Sequence, residues 1–178
     1  MKENRTKSKA ALLVIDVQQG LFEKSTPIYQ AEAFLENLNT LIERARQQDV
    51  PVIFIQHSNE KFLIKGSDAW QLHPKIQPLA NEIIIHKLHG DAFIKTSLED
   101  ELQERDVGVV FITGLVTHGC VRATSLGALQ HGYKVMLVRD AHSNYSKDAP
   151  QIIKKWNQAL DGRGAELIET KDVNFEYH

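Results

Sequence analysis

Three side chains that could do chemistry together stand close to the ends of short apolar runs. Asp16 ends the run ALLVID, Lys87 ends EIIIHK, and Cys120, the only cysteine of the chain, follows the run VGVVFIT within the segment GLVTHGC. All three runs predict strands, and the nearly all-apolar ALLVID predicts a strand that is buried on both faces. Ligands bind outside the carboxyl ends of the strands in an open parallel sheet, so we expect a carboxylate, an ammonium and a thiol at one edge.

A cysteine thiol needs help to act as a nucleophile, because its pKa of about 8.5 leaves only a few per cent thiolate at neutral pH. Cys120 opens a helical stretch, where the helix dipole favours an anion. Asp16, held in place by Lys87, can accept the thiol proton. The N–H groups between Val116 and Cys120 can form an oxyanion hole. We therefore expect Cys120 to be accessible and to have a lowered pKa.

Each of these residues also has a simpler interpretation when it is taken alone. A lone cysteine is often a small buried hydrophobic residue. An aspartate after a strand is often a helix cap, and a lysine there is usually a solvated surface charge. The convergence of all three types at one sheet edge is what favours a catalytic site.

The elements that must position these residues alternate between strand and helix. Strands are predicted over 11–16, 51–56, 82–87, 107–113, 133–140 and 165–170, and helices over 31–48, 96–106, 120–131 and 149–162. This order predicts a three-layer α/β/α fold with a doubly wound, mainly parallel, six-stranded sheet of the Rossmann-like type. Residues 10–178 are predicted to form one domain, and residues 1–9 a mobile tail.

Composition narrows the classes of function. The 178 residues are 42% hydrophobic and 25% charged with a net charge of −2, which gives no electrostatic basis for binding nucleic acid or an anionic membrane. The apolar run that ends at Ile15 is too short to span a membrane, no secretory signal is recognisable, and one cysteine fits a reducing compartment, so a cytoplasmic protein is expected. A nucleotide-binding module stays an alternative, although neither G-x-G-x-x-G nor a Walker motif occurs.

Three motifs carry a resemblance to a known family. They are LLVIDVQQGLF (12–22), HKLHGDAF (86–93) and ITGLVTHGCVRATSLGALQHGYKVMLVRDA (112–141). In these motifs the sequence resembles the isochorismatase-like cysteine hydrolases. It resembles their amidohydrolase branch more closely, because the isochorismatase branch itself lacks the cysteine. The resemblance implies an isochorismatase-like hydrolase fold over nearly the whole domain.

The resemblance also implies a role for each candidate residue. Cys120 would be the nucleophile, Asp16 the general base and Lys87 the third member of a triad. The backbone N–H groups of Val116 and Cys120 would form the oxyanion hole. The peptide bond between Leu115 and Val116 is expected to be cis.

On these grounds we expect a cysteine-dependent hydrolase that cleaves a C–N bond of a small amide, carbamoyl or ureido compound through a thioester. No organic cofactor is implied, and the partner is a small-molecule substrate. Members of the family are commonly dimers or tetramers, so a homo-oligomer is expected. Besides the non-catalytic module that binds a nucleotide or another small molecule, two alternatives stay open: an ether or ester hydrolase of the isochorismatase type, and a non-catalytic scaffold in which the triad is vestigial.

Metal binding is the feature in which the sequence departs from many nicotinamidases of this superfamily. Those enzymes bind a metal through an Asp-x-His pair after the second strand and a further histidine. Here the pair is replaced by the stretch His57-Ser58-Asn59. Asparagine is a poor ligand for zinc or iron, so we expect no metal and a poor fit for nicotinamide.

Four residues are candidates for the wall of a substrate pocket. Phe22, His57, Trp70 and His118 lie in or beside the predicted loops at the same edge of the sheet. Core packing is the alternative for Phe22 and Trp70. A place on the surface is the alternative for His57, and a structural place in the turn is the alternative for His118.

Overall fold

A six-stranded parallel sheet forms the centre of the protein. The structure, a computed structural model, describes residues 9–176. The strands are β1 (Lys9–Ile15), β2 (Val52–His57), β3 (Ile83–Lys87), β4 (Val107–Leu115), β5 (Lys134–Ser143) and β6 (Glu166–Ile168), in the sheet order β3-β2-β1-β4-β5-β6. All five neighbouring pairs are parallel. Lys9 begins β1, and the rest of the predicted tail lies outside the described residues.

Helices cover both faces of this sheet. They are α1 (Gln19–Phe22), α2 (Ala31–Gln47), α3 (Leu98–Glu104), α4 (Arg122–Gln130) and α5 (Ala149–Asp161). Side chains of α1 and α2 belong to one hydrophobic core, and those of α3, α4 and α5 belong to the other. The predicted three-layer, doubly wound fold is confirmed. Within residues 9–176, no helix combines the length and the apolar character needed to cross a bilayer.

The apolar run of β1 reflects burial on both sides. Leu12 and Val14 pack into the core beneath α2, while Leu13 and Ile15 pack into the opposite core, and all four are fully buried. Successive strand residues point to opposite faces, so only a continuous apolar run satisfies both cores. Burial of each such side chain contributes about 1.5–3 kcal/mol. These contacts hold the carboxyl end of β1 in a fixed position.

The two central strands, β1 and β4, are neighbours although β2 and β3 lie between them in sequence. The chain first winds toward one edge of the sheet and then toward the other. This change of direction opens a crevice outside the carboxyl ends of β1 and β4. Gly114 of β4 pairs with Ile15 there and has a φ of +117°, and a Cβ at Gly114 would lie 2.1 Å from the Ile15 carbonyl oxygen. Only glycine fits this approach.

The segment after β4 differs from the regular helix predicted over 120–131. Residues Thr117–Val121 form one wide, π-helical turn, and the regular helix α4 begins only at Arg122. Gly119 has non-helical backbone angles within the turn, and the Val116 carbonyl accepts the N–H groups of Gly119 and Val121. Cys120 therefore lies inside an irregular turn rather than at the first position of a regular helix.

Candidate active site

The first pair of candidate residues forms a buried salt bridge. Nζ of Lys87 lies 3.0 Å from Oδ2 of Asp16, and the two side chains are 0% and 3% exposed. Asp16 follows β1 directly and has a φ of 51°, and its N–H donates to the carbonyl of Ile55 on β2. A buried ion pair offsets the cost of desolvating its charges only when further hydrogen bonds satisfy them. The remaining contacts of Lys87 supply such bonds.

The ammonium group of Lys87 contacts three acceptors. Besides Asp16, it lies 3.2 Å from Sγ of Cys120 and 3.1 Å from Nδ1 of His57. An ammonium has three N–H donors and no acceptor, so each donor has one partner. The structure thus brings together a carboxylate from the end of β1, an ammonium from the end of β3 and a thiol from the turn after β4.

His57 is held in one orientation from two sides. Because the Lys87 ammonium can only donate, Nδ1 of His57 accepts and its ring proton lies on Nε2. Burial and then the Lys87 charge lower the pKa of His57, which keeps the ring neutral at pH 7. Its backbone N–H donates to Oε1 of Gln18, and its carbonyl accepts from Nε2 of Gln18, each over 2.9 Å.

Gln18 is a positioning residue that the sequence analysis missed. It is fully buried, and it also donates to the carbonyl of Trp70. Its amide therefore ties the segment after β1 to the end of β2 and to the loop that follows. The sequence did contain a signal for this role. A glutamine two residues after the end of a predicted buried strand is itself close to the core, and a buried amide needs hydrogen-bond partners.

Cys120 has a raised pKa, which corrects the lowered value expected from the sequence. Burial, and then the charge of the nearby Asp16 carboxylate, raise the pKa of the thiol to about 12, and the opposing effect of Lys87 is smaller. The expected regular helix N-terminus is absent at this position, because the wide turn intervenes. The resting thiol is therefore protonated.

Asp16 has a free acceptor for that thiol proton. Its Oδ1 is buried and has no hydrogen-bond partner within residues 9–176. A carboxylate oxygen of Asp16 lies within 4.8 Å of Sγ of Cys120. An orphaned buried carboxylate oxygen is costly to keep, and beside a protonated thiol it is suited to accept a proton.

The turn that carries Cys120 is anchored by a second buried network. Oγ1 of Thr117 lies 2.9 Å from Nδ1 of His142, and Nε2 of His142 lies 2.8 Å from Oδ1 of Asn157. Because the Asn157 oxygen only accepts, the His142 proton is on Nε2 and Thr117 donates to Nδ1. Burial lowers the pKa of His142 to about 4, so the ring is neutral. The peptide between Leu115 and Val116, which precedes Thr117, is cis.

A cavity of about 430 Å³ opens onto these groups, and this volume is in the range of small-molecule pockets, about 300–1,000 Å³. Asp16, His57, Val116 and Cys120 line one part of it. Leu21 of α1 forms part of the remaining wall, and the rest comes from loops, whose members include Lys24, Phe62, Leu63 and Tyr145. The sequence analysis missed these loop residues, because their positions depend on loop conformation.

The structure corrects three of the predicted wall positions. Of the four candidates, only His57 lines this cavity. Trp70 is buried, and its Nε1 donates to Oγ of Ser58. The ring of Phe22 packs against the ring of His73, with 4.5 Å between the ring centroids. Both rings support the loops from behind, as the packing alternative proposed. His118 lies in the wide turn, off the cavity wall.

The same cluster does not fit a metal ion. Ligand atoms of Asp16, His57 and Cys120 lie within 4.8 Å of one another, but the Lys87 ammonium contacts all three side chains. A divalent cation would have to share this space with a positive charge. Oδ1 of Asn59 accepts three backbone N–H groups of its own loop, so it is occupied as well.

The fold and the Asp-Lys-Cys cluster at its switch point define a class of α/β domains with a thiol in the ligand crevice. The chain matches the Isochorismatase domain over residues 10–172, and it belongs to the isochorismatase family. It is 31% identical to streptothricin hydrolase of Streptomyces noursei over 94% of this chain and 68% of that protein.

Two further comparisons agree with this assignment. Maleamate amidohydrolase of Pseudomonas putida is 27% identical over 79% of this chain and 75% of its own length. A crystal structure of an isochorismatase family protein matches with a TM-score of 0.84 at 34% identity, over 90% of this chain and 98% of the other. Membership of this family supports a hydrolase.

Proposed function

We propose that the protein is a cysteine-dependent hydrolase of C–N bonds in small amide, carbamoyl or ureido compounds. The observation that carries the proposal is the position of the Lys87 ammonium, which contacts both the Asp16 carboxylate and the Cys120 thiol beside a cavity. Amide-cleaving relatives add support, since maleamate amidohydrolase is among them. The proposed roles are nucleophile for Cys120 and general base for Asp16.

The first step forms a bond from Sγ to the substrate carbonyl carbon. Because the resting thiol is protonated, its proton moves to Oδ1 of Asp16 as the sulfur attacks. The Lys87 ammonium, which contacts Sγ, stabilises the sulfur as it becomes an anion. The N–H groups of Val116 and Cys120 are the proposed donors to the carbonyl oxygen, which becomes an oxyanion in the tetrahedral intermediate.

The second step breaks the C–N bond. The oxyanion re-forms a carbonyl, the nitrogen leaves with the bonding electrons, and Asp16 returns the proton to it. Ammonia or an amine is released, and a thioester to Cys120 remains. Asp16 is then a carboxylate again and is ready to accept a proton from water.

Hydrolysis of the thioester completes the cycle. Asp16 takes a proton from a water molecule as the oxygen attacks the thioester carbon. The C–S bond breaks, the sulfur regains the proton from Asp16, and the carboxylic acid leaves. One amide and one water are thereby converted into one acid and one ammonia or amine.

The test is a panel of small amides, with ammonia release as the readout and intact-protein mass spectrometry as a second readout. We expect turnover of at least one amide by the wild type. We also expect a transient mass increase on Cys120 that equals the acyl group. Cys120→Ala should have neither, and Cys120→Ser should be nearly inactive because serine has a far higher pKa. Full turnover by a folded Cys120→Ala protein would contradict the proposal.

A further inference from the structure

The charged side chains on the cavity wall are not balanced. The Asp16 carboxylate is neutralised by its salt bridge to Lys87. Among the described residues that line the cavity, the other ionised side chains are Lys24 and Lys61, and both are positive. The proposed reaction leaves these two ammonium groups without a role.

Lys24 is held above aromatic rings at the cavity wall. Its Nζ lies 3.4 Å from the ring centroid of Phe62 and 5.7 Å from that of Tyr145, and all three residues line the cavity. Ring faces attract the ammonium but accept no strong hydrogen bond. Within residues 9–176, Lys24 has neither an ion pair nor a hydrogen bond to another side chain. Its donors are therefore available to a bound molecule.

Lys61 is placed by a tight turn in the neighbouring loop. Oδ1 of Asn59 accepts the backbone N–H groups of Lys61, Phe62 and Leu63, over 3.0, 2.7 and 3.1 Å. The turn closes through a bond from the Asn59 N–H to the Leu63 carbonyl. Lys61 and Phe62, whose ring lies beneath Lys24, thus belong to one short segment that is held by hydrogen bonds from backbone N–H groups. Lys24 and Lys61 both line the same cavity.

We propose that the substrate of this site is a short anionic amide, with a carboxylate on the side opposite the carbonyl that Cys120 attacks. The inference rests on the proposed function. Lys24 binds the carboxylate through a charge-assisted hydrogen bond, which is stronger than one between neutral groups. The more exposed Lys61 attracts the anion toward the opening. Leu21 and Leu63 provide apolar wall for a short carbon chain between the two ends.

Three amides of similar length and different charge test the inference. They are succinamate, which is anionic, succinamide, which is neutral, and 3-aminopropanamide, which is cationic. We expect kcat/KM for ammonia release to be at least about ten-fold higher for succinamate than for succinamide, and lowest for the cation. Lys24→Met should reduce the ratio between the first two at least about five-fold, mainly through KM. Lys24→Arg should retain most of the ratio.

Lys65→Met is the matched control, because Lys65 is an exposed lysine of the same loop that does not line the cavity. We expect it to leave the ratio as in the wild type. Lys61→Met should lower the ratio less than Lys24→Met, and its effect should shrink at high salt.

Binding of succinate, measured by calorimetry, separates this inference from the proposed function. Succinate binding that weakens about ten-fold in Lys24→Met, but not in Lys65→Met, supports the anion site even if no amide is hydrolysed. Turnover of the neutral amide without any preference for the anionic one overturns the inference and leaves the proposed function standing. Equal succinate affinity in the wild type and Lys24→Met, or no succinate binding, also overturns it.

Discussion

The ammonium group of Lys87 donates to Sγ of Cys120 over 3.2 Å, yet the thiol keeps a raised pKa. Burial and the Asp16 charge disfavour a thiolate more than Lys87 favours it. The same ammonium also contacts Asp16 over 3.0 Å. Lys87 therefore acts on the anion that forms during attack, and Asp16 must take the proton at that moment.

Alkylation of Cys120 should be slow at neutral pH. Because the thiol pKa is raised to about 12, the thiolate fraction should grow about ten-fold per pH unit between pH 7 and 9, without a plateau. Burial, the largest cause of the raised pKa, is unchanged in Asp16→Asn, but the variant lacks the negative charge that adds to it, so it should react faster with iodoacetamide at each pH. The measurement is the second-order rate constant as a function of pH. A plateau below pH 8 in the wild type would show a resting thiolate.

Asp16 and Lys87 should act as a unit in turnover. Asp16→Asn removes the base and should lower kcat by roughly 10²–10⁴-fold, and Lys87→Met should be comparably damaging. The double variant should lose far less than the product of the two effects. Effects that multiply fully would indicate that the two residues serve separate steps.

The single variant Lys87→Met and its double variant with Asp16→Asn should differ in their free energy of unfolding. Lys87→Met leaves the Asp16 carboxylate buried without its partner, which should cost about 3–5 kcal/mol of unfolding free energy. Adding Asp16→Asn should recover part of the loss. Lys134→Met, at the exposed ion pair with Glu166, is the control and should cost less than about 1 kcal/mol. Denaturant unfolding measures all of these variants.

The buried network around His142 should make stability fall in mild acid. Burial lowers the pKa of His142 from 6.5 to about 4, so the unfolded chain takes up a proton at a higher pH than the folded protein. The contribution of the neutral His142 to the free energy of unfolding is complete above pH 6.5 and is lost as the pH falls through 4. By linkage its full size is on the order of 3 kcal/mol. His142→Gln should flatten this part of the pH–stability curve, whereas His89→Gln, at an exposed position, should not.

Gly114 should tolerate no side chain. Gly114→Ala would place a methyl group 2.1 Å from the Ile15 carbonyl oxygen at a φ of +117°, and backbone atoms cannot move aside as a flexible side chain can. We expect an insoluble or strongly destabilised protein. Gly132 also has a positive φ, of +85°, but a Cβ there meets open space. Gly132→Ala should therefore cost only about 1 kcal/mol. Similar melting temperatures for the two variants would contradict this account.

The sequence by itself determined the sheet and the edge on which the chemistry lies. The run that ends at Asp16 is a strand because its continuous apolar residues satisfy cores on both faces. The run that ends at Lys87 forms an edge strand with one buried face, which carries Ile85 and Lys87. A parallel sheet brings their carboxyl ends to one edge, so proximity to the turn of Cys120 follows from strand order. These inferences need only periodicity and connection rules, which are local properties of the chain.

Tertiary structure alone decided the properties of the site. The pKa of Cys120 depends on its depth of burial and on its distance from Asp16, and neither quantity is encoded in a local pattern. The composition of the cavity wall also depends on tertiary contacts rather than on a local pattern. Lys24 and Phe62 meet across two loops that lack any periodic pattern, whereas Trp70, an equally plausible wall residue by sequence, turns into the core to bond Ser58. Loop conformation is set by contacts between segments that are distant in sequence, and those contacts exist only once the sheet has formed.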